Sequence, residues 1–298
     1  MRILHLDTGK EMRGGQWQAL RLMERLEAAG VESTLLARQG GPLLEAARQR
    51  GLRAEALGWA PLAALARKHD LVHAHGARAH AMAATVAARA PLVVSRRVAF
   101  GLRGGIFSRW KYRRARRYLA VSEHVKRVLV EGGVEADRVS VVYDGVPLLP
   151  PAEGTRVVTP DDGGDPLKGA ALAIEAGRRA GVAVEVSTRL EEDLRTTGIF
   201  VYLTRSEGLG SGALLAMSAA AAVVASDVGG LRELIEHRVN GMLVENTPDA
   251  VAEAIRELIE HPESARGLGL VARRRVSERF TVDRMVLETL EVYRQVLS

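Results

Sequence analysis

The 298-residue sequence contains no cysteine. Disulfides and thiolate metal sites are therefore excluded, and a reducing compartment is the expected setting. Aromatic residues are sparse, at 4% of the chain, and no apolar run reaches the length of a membrane span. The opening residues, Met1-Arg2-Ile3-Leu4-His5-Leu6-Asp7, read as a strand rather than a signal peptide. What is abundant is aliphatic. Hydrophobic residues make up 47% of the chain, enough for a sizeable core in one large or two ordinary domains. The net charge of +6 comes mainly from arginine and favours anionic partners: phosphates, nucleic acid or a membrane surface.

Hydrophobic periodicity orders the first half as alternating strands and helices. Ile3 to Leu6, Thr34 to Ala37, Arg53 to Leu57, Leu71 to Ala74 and Leu92 to Val94 read as buried strands. A helix carrying Leu20, Leu22, Met23 and Leu26 stops at Ala29-Gly30, and further helices read over Pro61 to Lys68 and Ala79 to Ala88. This alternation predicts a parallel sheet wound on both faces, with ligands at the carboxyl ends of the strands. Three features fall there: Gly14-Gly15, His73-Ala74-His75-Gly76 and Ser95-Arg96-Arg97. The glycines either let a diphosphate or sugar approach the backbone or form an ordinary turn. His75 ends a buried strand before a glycine, which raises it as a candidate. No metal is expected at His73 and His75, because no carboxylate or third histidine accompanies them.

Between Ser108 and Tyr118, Arg109, Trp110, Lys111, Arg113 and Arg114 belong to a cluster of six positive charges and three aromatics. It reads as a solvated helix face or as a patch for an anionic acceptor or anionic lipid. Nucleic acid is less well supported, since no known nucleic-acid motif surrounds it. The proline- and glycine-rich stretch Asp144 to Gly154 marks a domain boundary, placing one domain at 1–147 and a second at 148–280. Strands Arg156 to Thr159, Val182 to Val186 and Ile199 to Leu203 follow, with Lys168 at the mouth of a helix, where it can reach a phosphate. The aspartates beside it read as a turn.

The chain is organised around Ser206-Glu207-Gly208-Leu209-Gly210-Ser211-Gly212 and the alanine-rich run after it. A glycine-rich turn opening a helix leaves N–H groups unpaired at the positive end of the helix dipole, which suits a diphosphate. The same glycines also serve close helix packing. Glu207, at the lip, is placed to hold sugar hydroxyls. Gly229-Gly230 and Glu233 follow, then a capped helix from Thr247 to Glu260, with Phe280-Thr281 as the joint to a last helix at 281–298.

Taken together, Gly14-Gly15, His73-Ala74-His75, Ala120-Val121-Ser122, Val141 to Val146, Lys168-Gly169, Ser206 to Gly210, Gly229 to Glu233 and Asn240 to Val244 resemble glycosyltransferase family 4. That family comprises retaining, nucleotide-sugar-dependent enzymes. The resemblance implies an α/β GT-B fold, two Rossmann-like domains facing across a cleft, with the last helix packing back on the first domain. It implies metal-independent transfer of a glycosyl group with retention from a UDP- or GDP-linked sugar, with no further cofactor. The acceptor would be a cell-surface glycan or glycolipid, and the setting cytoplasmic or peripheral at the inner membrane face. His75 would lie near the reacting centre, and Lys168 would neutralise the leaving diphosphate. Glu207 would hold the donor sugar, with Gly14, Gly15, Leu209, Gly210, Ser211, Arg205 and Glu233 also on the donor.

Three departures stand out. The family's second carboxylate, eight residues beyond Glu207, is Leu215 here. An arginine usual before the lysine is replaced by Asp161, with Arg205 or Arg189 as substitutes. Only 39 positions separate Lys168 from Glu207, so the second domain is expected to be trimmed. These features motivate an alternative, a catalytically degenerate relative that binds a sugar, a nucleotide or a partner.

Overall fold

The computed structural model describes the chain except Ala87, Arg103 and Pro166. The expected helix Ala79 to Ala88 and the loop around Lys168 each include one residue, Ala87 and Pro166, outside the described residues. Two compact units are present: Met1–Asp144 with Val282–Ser298, and Gly145–Thr281. The first contains β1 (Arg2–Asp7), α1 (Gly14–Ala28), β2 (Glu32–Ala37), α2 (Pro42–Gln49), β3 (Arg53–Ala56), α3 (Trp59–Leu65) and β4 (Leu71–His75). It continues with α4 (Ala77–Ala84), β5 (Leu92–Arg96), α5 (Ile106–Arg114), β6 (Arg117–Ala120), α6 (Glu123–Glu131) and β7 (Val139–Val141). The second holds β8 (Arg156–Pro160), α7 (Ala170–Ala180), β9 (Val184–Ser187), α8 (Leu190–Asp193), β10 (Thr197–Tyr202) and α9 (Ser211–Ser218). It ends with β11 (Ala222–Ser226), α10 (Leu231–Leu234), β12 (Met242–Val244), α11 (Pro248–Glu260) and α12 (Pro262–Arg279). The last helix, α13 (Val282–Leu297), returns to the first unit.

Both sheets are parallel. The first has seven strands in the order β3-β2-β1-β4-β5-β6-β7, the second five in the order β12-β11-β10-β8-β9. β4 and β5 are buried throughout, as expected of interior strands covered on both faces. The expectation that Arg53 to Leu57 forms a buried strand is corrected. β3 is an edge strand of alternating exposed and half-buried residues, because it has a single neighbour. β9 is likewise an edge. The strand order turns back between β1 and β4 in one sheet and between β10 and β8 in the other. Those two points open crevices at the carboxyl ends of the strands.

α13 closes the first core. Met285, Leu290 and Tyr293 pack against Ile3, Leu22 and Val93. In the second unit, Val201, Val224 and Met242 pack against Val251 and Ile255 of α11. Thr247 caps that helix by accepting a hydrogen bond from the Ala250 amide, and Pro248 occupies its first turn.

The contact between the loops at Gly208 and Gly230 admits only glycine at 230. The amide of Gly230 donates to the Glu207 carbonyl at 3.1 Å. A Cβ on Gly230 would lie 1.9 Å from the Gly208 carbonyl oxygen, so the two glycine-rich loops meet backbone to backbone. Gly230→Ala is expected to lower the unfolding free energy by at least about 1–3 kcal/mol through overpacking. Urea unfolding followed by circular dichroism measures this; an unchanged midpoint would remove the claim that the loops support each other.

Candidate functional site

Two groups of side chains occupy the two crevices. In the second unit, β8 and β10 are neighbours, so the loops leaving them run side by side. Lys168 and Thr204 form an isolated antiparallel bridge, and the Arg205 amide donates to the Leu167 carbonyl at 2.8 Å. This pairing brings Lys168 to Glu207. The ammonium lies 2.6 Å from Glu207 Oε2 and 3.3 Å from the Tyr202 hydroxyl. Tyr202 donates to the same Oε2 at 2.7 Å, and the Gly208 amide donates to Oε1 at 3.1 Å. Burial, reinforced by the adjacent Glu207 carboxylate, holds the Tyr202 phenol well above its ordinary range, so it remains a donor.

Behind this carboxylate stands α9. Gly210 precedes it with φ of +105°, and no side chain caps its N-terminus. A Cβ on Gly212 would approach the Tyr202 ring to 2.9 Å, so glycine lets the ring lie beneath the first turn. Leu209, Gly210 and Ser211 therefore sit beside Glu207 at a helix end with unpaired N–H groups. Leu215 is buried within α9. Asp161 is exposed and its Oδ1 accepts from the Gly163 amide in a turn. Arg189 is paired with Glu192 at 2.9 Å, while Arg205 is exposed. Glu233 lies in α10, where its carbonyl accepts from Arg275 at 3.0 Å.

In the first unit, β1 and β4 are paired with His5 opposite His73 and Asp7 opposite His75. Sequence reasoning paired His73 with His75 and found no third histidine. The structure corrects this: His5, 68 positions from His73, joins them because β1 and β4 are adjacent. The guanidinium of Arg97 only donates, so His75 Nδ1 accepts from it at 3.2 Å. His75 Nε2 then donates to His5 Nδ1 at 3.1 Å, which leaves the buried His5 Nε2 without a partner among the described residues. His73 Nδ1 meets the Tyr293 hydroxyl at 2.5 Å, and its Nε2 meets Ser95 Oγ at 2.8 Å. Five of the six ring nitrogens are already committed and a guanidinium stands beside them, so the trio suits a chain of hydrogen bonds better than a cation.

All three rings are neutral. Burial pushes His5 down to about 3. His73 lies well below its usual range through burial, then through His5 and Arg97. His75 does so through burial, His73, Arg97 and His5. Asp144 anchors Arg97 at 2.9 Å, and Asp7 accepts from the Gly9 amide at 2.6 Å and from Gln16 Nε2 at 3.1 Å. Of the two readings of Gly14 and Gly15, the ordinary turn is corrected: they form the first residues of α1, because Arg13 is already extended and Gln16 bonds back to its amide. Gly15 abuts Arg97: a Cβ there would sit 3.8 Å from Arg97 Cδ. Arg109, Trp110, Lys111, Arg113 and Arg114 are on α5, which has no fully buried residue.

Two family profiles match in tandem. Glycosyltransferase Family 4 covers residues 12–148, and Glycosyl transferases group 1 covers residues 155–275. Residues 12–148 thus match a glycosyltransferase family 4 domain and residues 155–275 a glycosyl transferases group 1 domain, on a GT-B fold. An alpha-maltose-1-phosphate synthase of Mycolicibacterium smegmatis is 38% identical over 115 residues, 36% of this chain and 30% of that protein. A D-inositol 3-phosphate glycosyltransferase of Streptomyces griseus is 31% identical over 173 residues, covering 54% of this chain and 35% of that one. The matches thus span about a third of these relatives. Among solved structures, Anabaena HepE in complex with UDP and glucose superposes with a TM-score of 0.87, at 19% identity over 99% of this chain and 100% of that one. The GT-B fold read from the sequence is the fold found.

Tyr202, His5 and Tyr293 escaped sequence reasoning. Tyr202 looked like the end of an apolar strand; the signal was a hydroxyl on the last strand residue, five before Glu207. His5 was hidden in β1, where His5 and Asp7 alternate on one face as His73 and His75 do in β4.

The neutral histidines make the first unit acid-sensitive. Their folded pKa values lie below the unfolded value, so their stabilisation is complete above about pH 6.5 and is lost as pH falls towards the folded values. His80, pushed down to about 3 mainly by burial, adds a fourth. Each histidine contributes a slope of up to about 1.4 kcal/mol per pH unit. All three tryptophans, Trp17, Trp59 and Trp110, lie in this unit, so their fluorescence in urea reports it alone. Stability should fall between about pH 6.5 and 5 and the fall should shrink by about a quarter in His5→Phe; a flat profile would contradict burial of neutral rings.

Proposed function

We propose that the protein transfers a glycosyl group, with retention, from a nucleoside-diphosphate sugar to a cell-surface glycan or glycolipid acceptor. The observation that carries this reading is the Lys168–Glu207–Tyr202 group beside the uncapped start of α9. A cation, a carboxylate and a row of helix N–H groups share one crevice, which is what a sugar attached to a diphosphate requires. The solved complexes of HepE with UDP and with UDP-glucose support a uridine nucleotide sugar as donor.

On this reading Lys168 leaves Glu207 to neutralise the diphosphate, and the α9 N–H groups share that charge. Glu207 stays aligned by Tyr202 and the Gly208 amide and accepts from the sugar hydroxyls. The departing diphosphate takes the acceptor proton on the same face of the sugar, so no separate base is required. His75 contributes an uncharged, fixed imidazole at the crevice of the first unit, held by Arg97. Gly14 and Gly15 leave room at the start of α1, and no metal or further cofactor enters. The buried Leu215 favours the alternative, a binding protein without turnover, since it removes the family's second carboxylate.

Release of nucleoside diphosphate from a panel of nucleotide sugars separates the two. Turnover with one donor is expected, and both Glu207→Ala and Lys168→Ala should lower kcat/KM by about 100-fold or more. Tyr202→Phe should cost about 10-fold, as loss of one hydrogen bond to a charged group. Donor binding by thermal shift without any release would establish the binding protein; neither binding nor release would refute both.

A further inference from the structure

α5 and the segment before it form an exposed surface of unusual composition. From Leu71 to Ser122 the chain has no Asp or Glu and eleven Lys or Arg. Three well-exposed apolar groups lie on this acid-free stretch. Ile106 is 82% exposed, Phe107 65% and Phe100 52%. Phe107 stacks on Trp110 with ring centroids 5.4 Å apart, and the Arg114 guanidinium lies 5.9 Å from the Trp110 ring. The helix period puts Ile106, Arg109, Trp110 and Arg113 on one stripe, with Phe107 and Arg114 beside it.

The opposite side is anchored. His80 donates from Nε2 to the Lys111 carbonyl at 3.1 Å, and its ring meets Tyr112 edge-on. Tyr112 stacks on Tyr118, whose hydroxyl donates to the Tyr112 carbonyl at 2.7 Å. α5 is therefore fixed with its cation-and-aromatic stripe turned to solvent. Arg109, Lys111, Arg113 and Arg114 enter no ion pair with a carboxylate among the described residues.

We propose that this face is a docking surface for an anionic lipid bilayer. Ile106, Phe107 and Phe100 enter the headgroup–acyl boundary while the arginines bind lipid phosphates. Charge complementarity selects the partner's sign: a segment whose cations have no carboxylate partner is attracted to anionic lipid by about fivefold in affinity per basic residue. The apolar groups select its kind. Stacking on nucleic acid would engage Trp110 and Phe107 but would leave Ile106 in water, whereas a bilayer removes all of them from it. Guanidinium groups on flexible stems reach the phosphates while their methylenes stay with the apolar groups. The proposal deepens the reading of a glycolipid acceptor without depending on it, because vesicle binding is measured with no donor present.

Co-sedimentation of the full chain with equimolar phosphatidylcholine–phosphatidylglycerol vesicles, and with phosphatidylcholine alone, tests it. Binding to the anionic vesicles only is expected. Arg109→Gln/Arg113→Gln/Arg114→Gln should weaken it by on the order of 100-fold. Ile106→Ser/Phe107→Ser, which alters exposed groups only, should weaken it by at least about 10-fold. No binding to anionic vesicles would overturn the proposal. So would binding indifferent to the serine pair, which would mean adsorption without insertion. Displacement from vesicles by a single-stranded DNA oligonucleotide that itself binds more tightly would assign the surface to nucleic acid instead.

Discussion

The second unit depends on a carboxylate that never stands alone. Glu207 is met by an ammonium, a phenol and an amide, and each comes from a different piece of backbone. Lys168 arrives on the loop after β8, Tyr202 at the end of β10, and Gly208 in the turn before α9. Adjacency of β8 and β10 is what makes the three converge, although 39 residues separate Lys168 from Glu207. Such a partly buried group is stable because every polar partner is matched. On the proposed function it is also poised: the lysine exchanges one anion for another, and the remaining two donors keep the carboxylate oriented during that exchange.

The first unit solves a different problem. It carries histidines in the core of a parallel sheet, where a charged ring would be costly to desolvate. Tyr293 and Ser95 hold His73, and Arg97 and His5 hold His75. Tyr293 comes from α13, which follows the whole second unit in sequence. The chain's last helix thus supplies a hydrogen bond to the core of its first domain. Arg97, fixed by Asp144, links this neutral chain to Gly15 at the start of α1. The positive charge at the crevice is therefore carried by a guanidinium, and the imidazoles orient without being charged.

Much of this was legible in the residues. Interior parallel strands are nearly continuous apolar runs, so Leu71 to Ala74 and Leu92 to Val94 announced themselves. Glycines announced the loop before α9, and Thr247-Pro248 announced α11. Three features were not legible, each for a physical reason. β3 seemed buried because its composition does not reveal that it has a single neighbour. A turn at Gly14 and Gly15 was one of two open readings, since glycine lowers helix propensity, yet Gln16, bonded both to Asp7 and to the Arg13 amide, starts the helix there. Tyr202 and His5 acquire their importance only through partners brought by the sheet order, which local spacing does not encode.

Leu215 sharpens the chemical question. In α9 every residue from Ala213 to Ser218 is buried, so the helix that offers its N–H groups at one end is enclosed along the rest of its length. A carboxylate at position 215 would need a donor to offset its desolvation, whereas leucine needs only packing. The enclosing apolar shell also keeps water from the helix body, which leaves the dipole at its start less screened. On the proposed function, leucine at 215 therefore leaves one nucleotide contact unmade while it packs the body of α9. On the proposed function, recognition of the donor shifts from the nucleotide towards the diphosphate and the sugar, the two parts that Lys168, the α9 N–H groups and Glu207 are placed to bind.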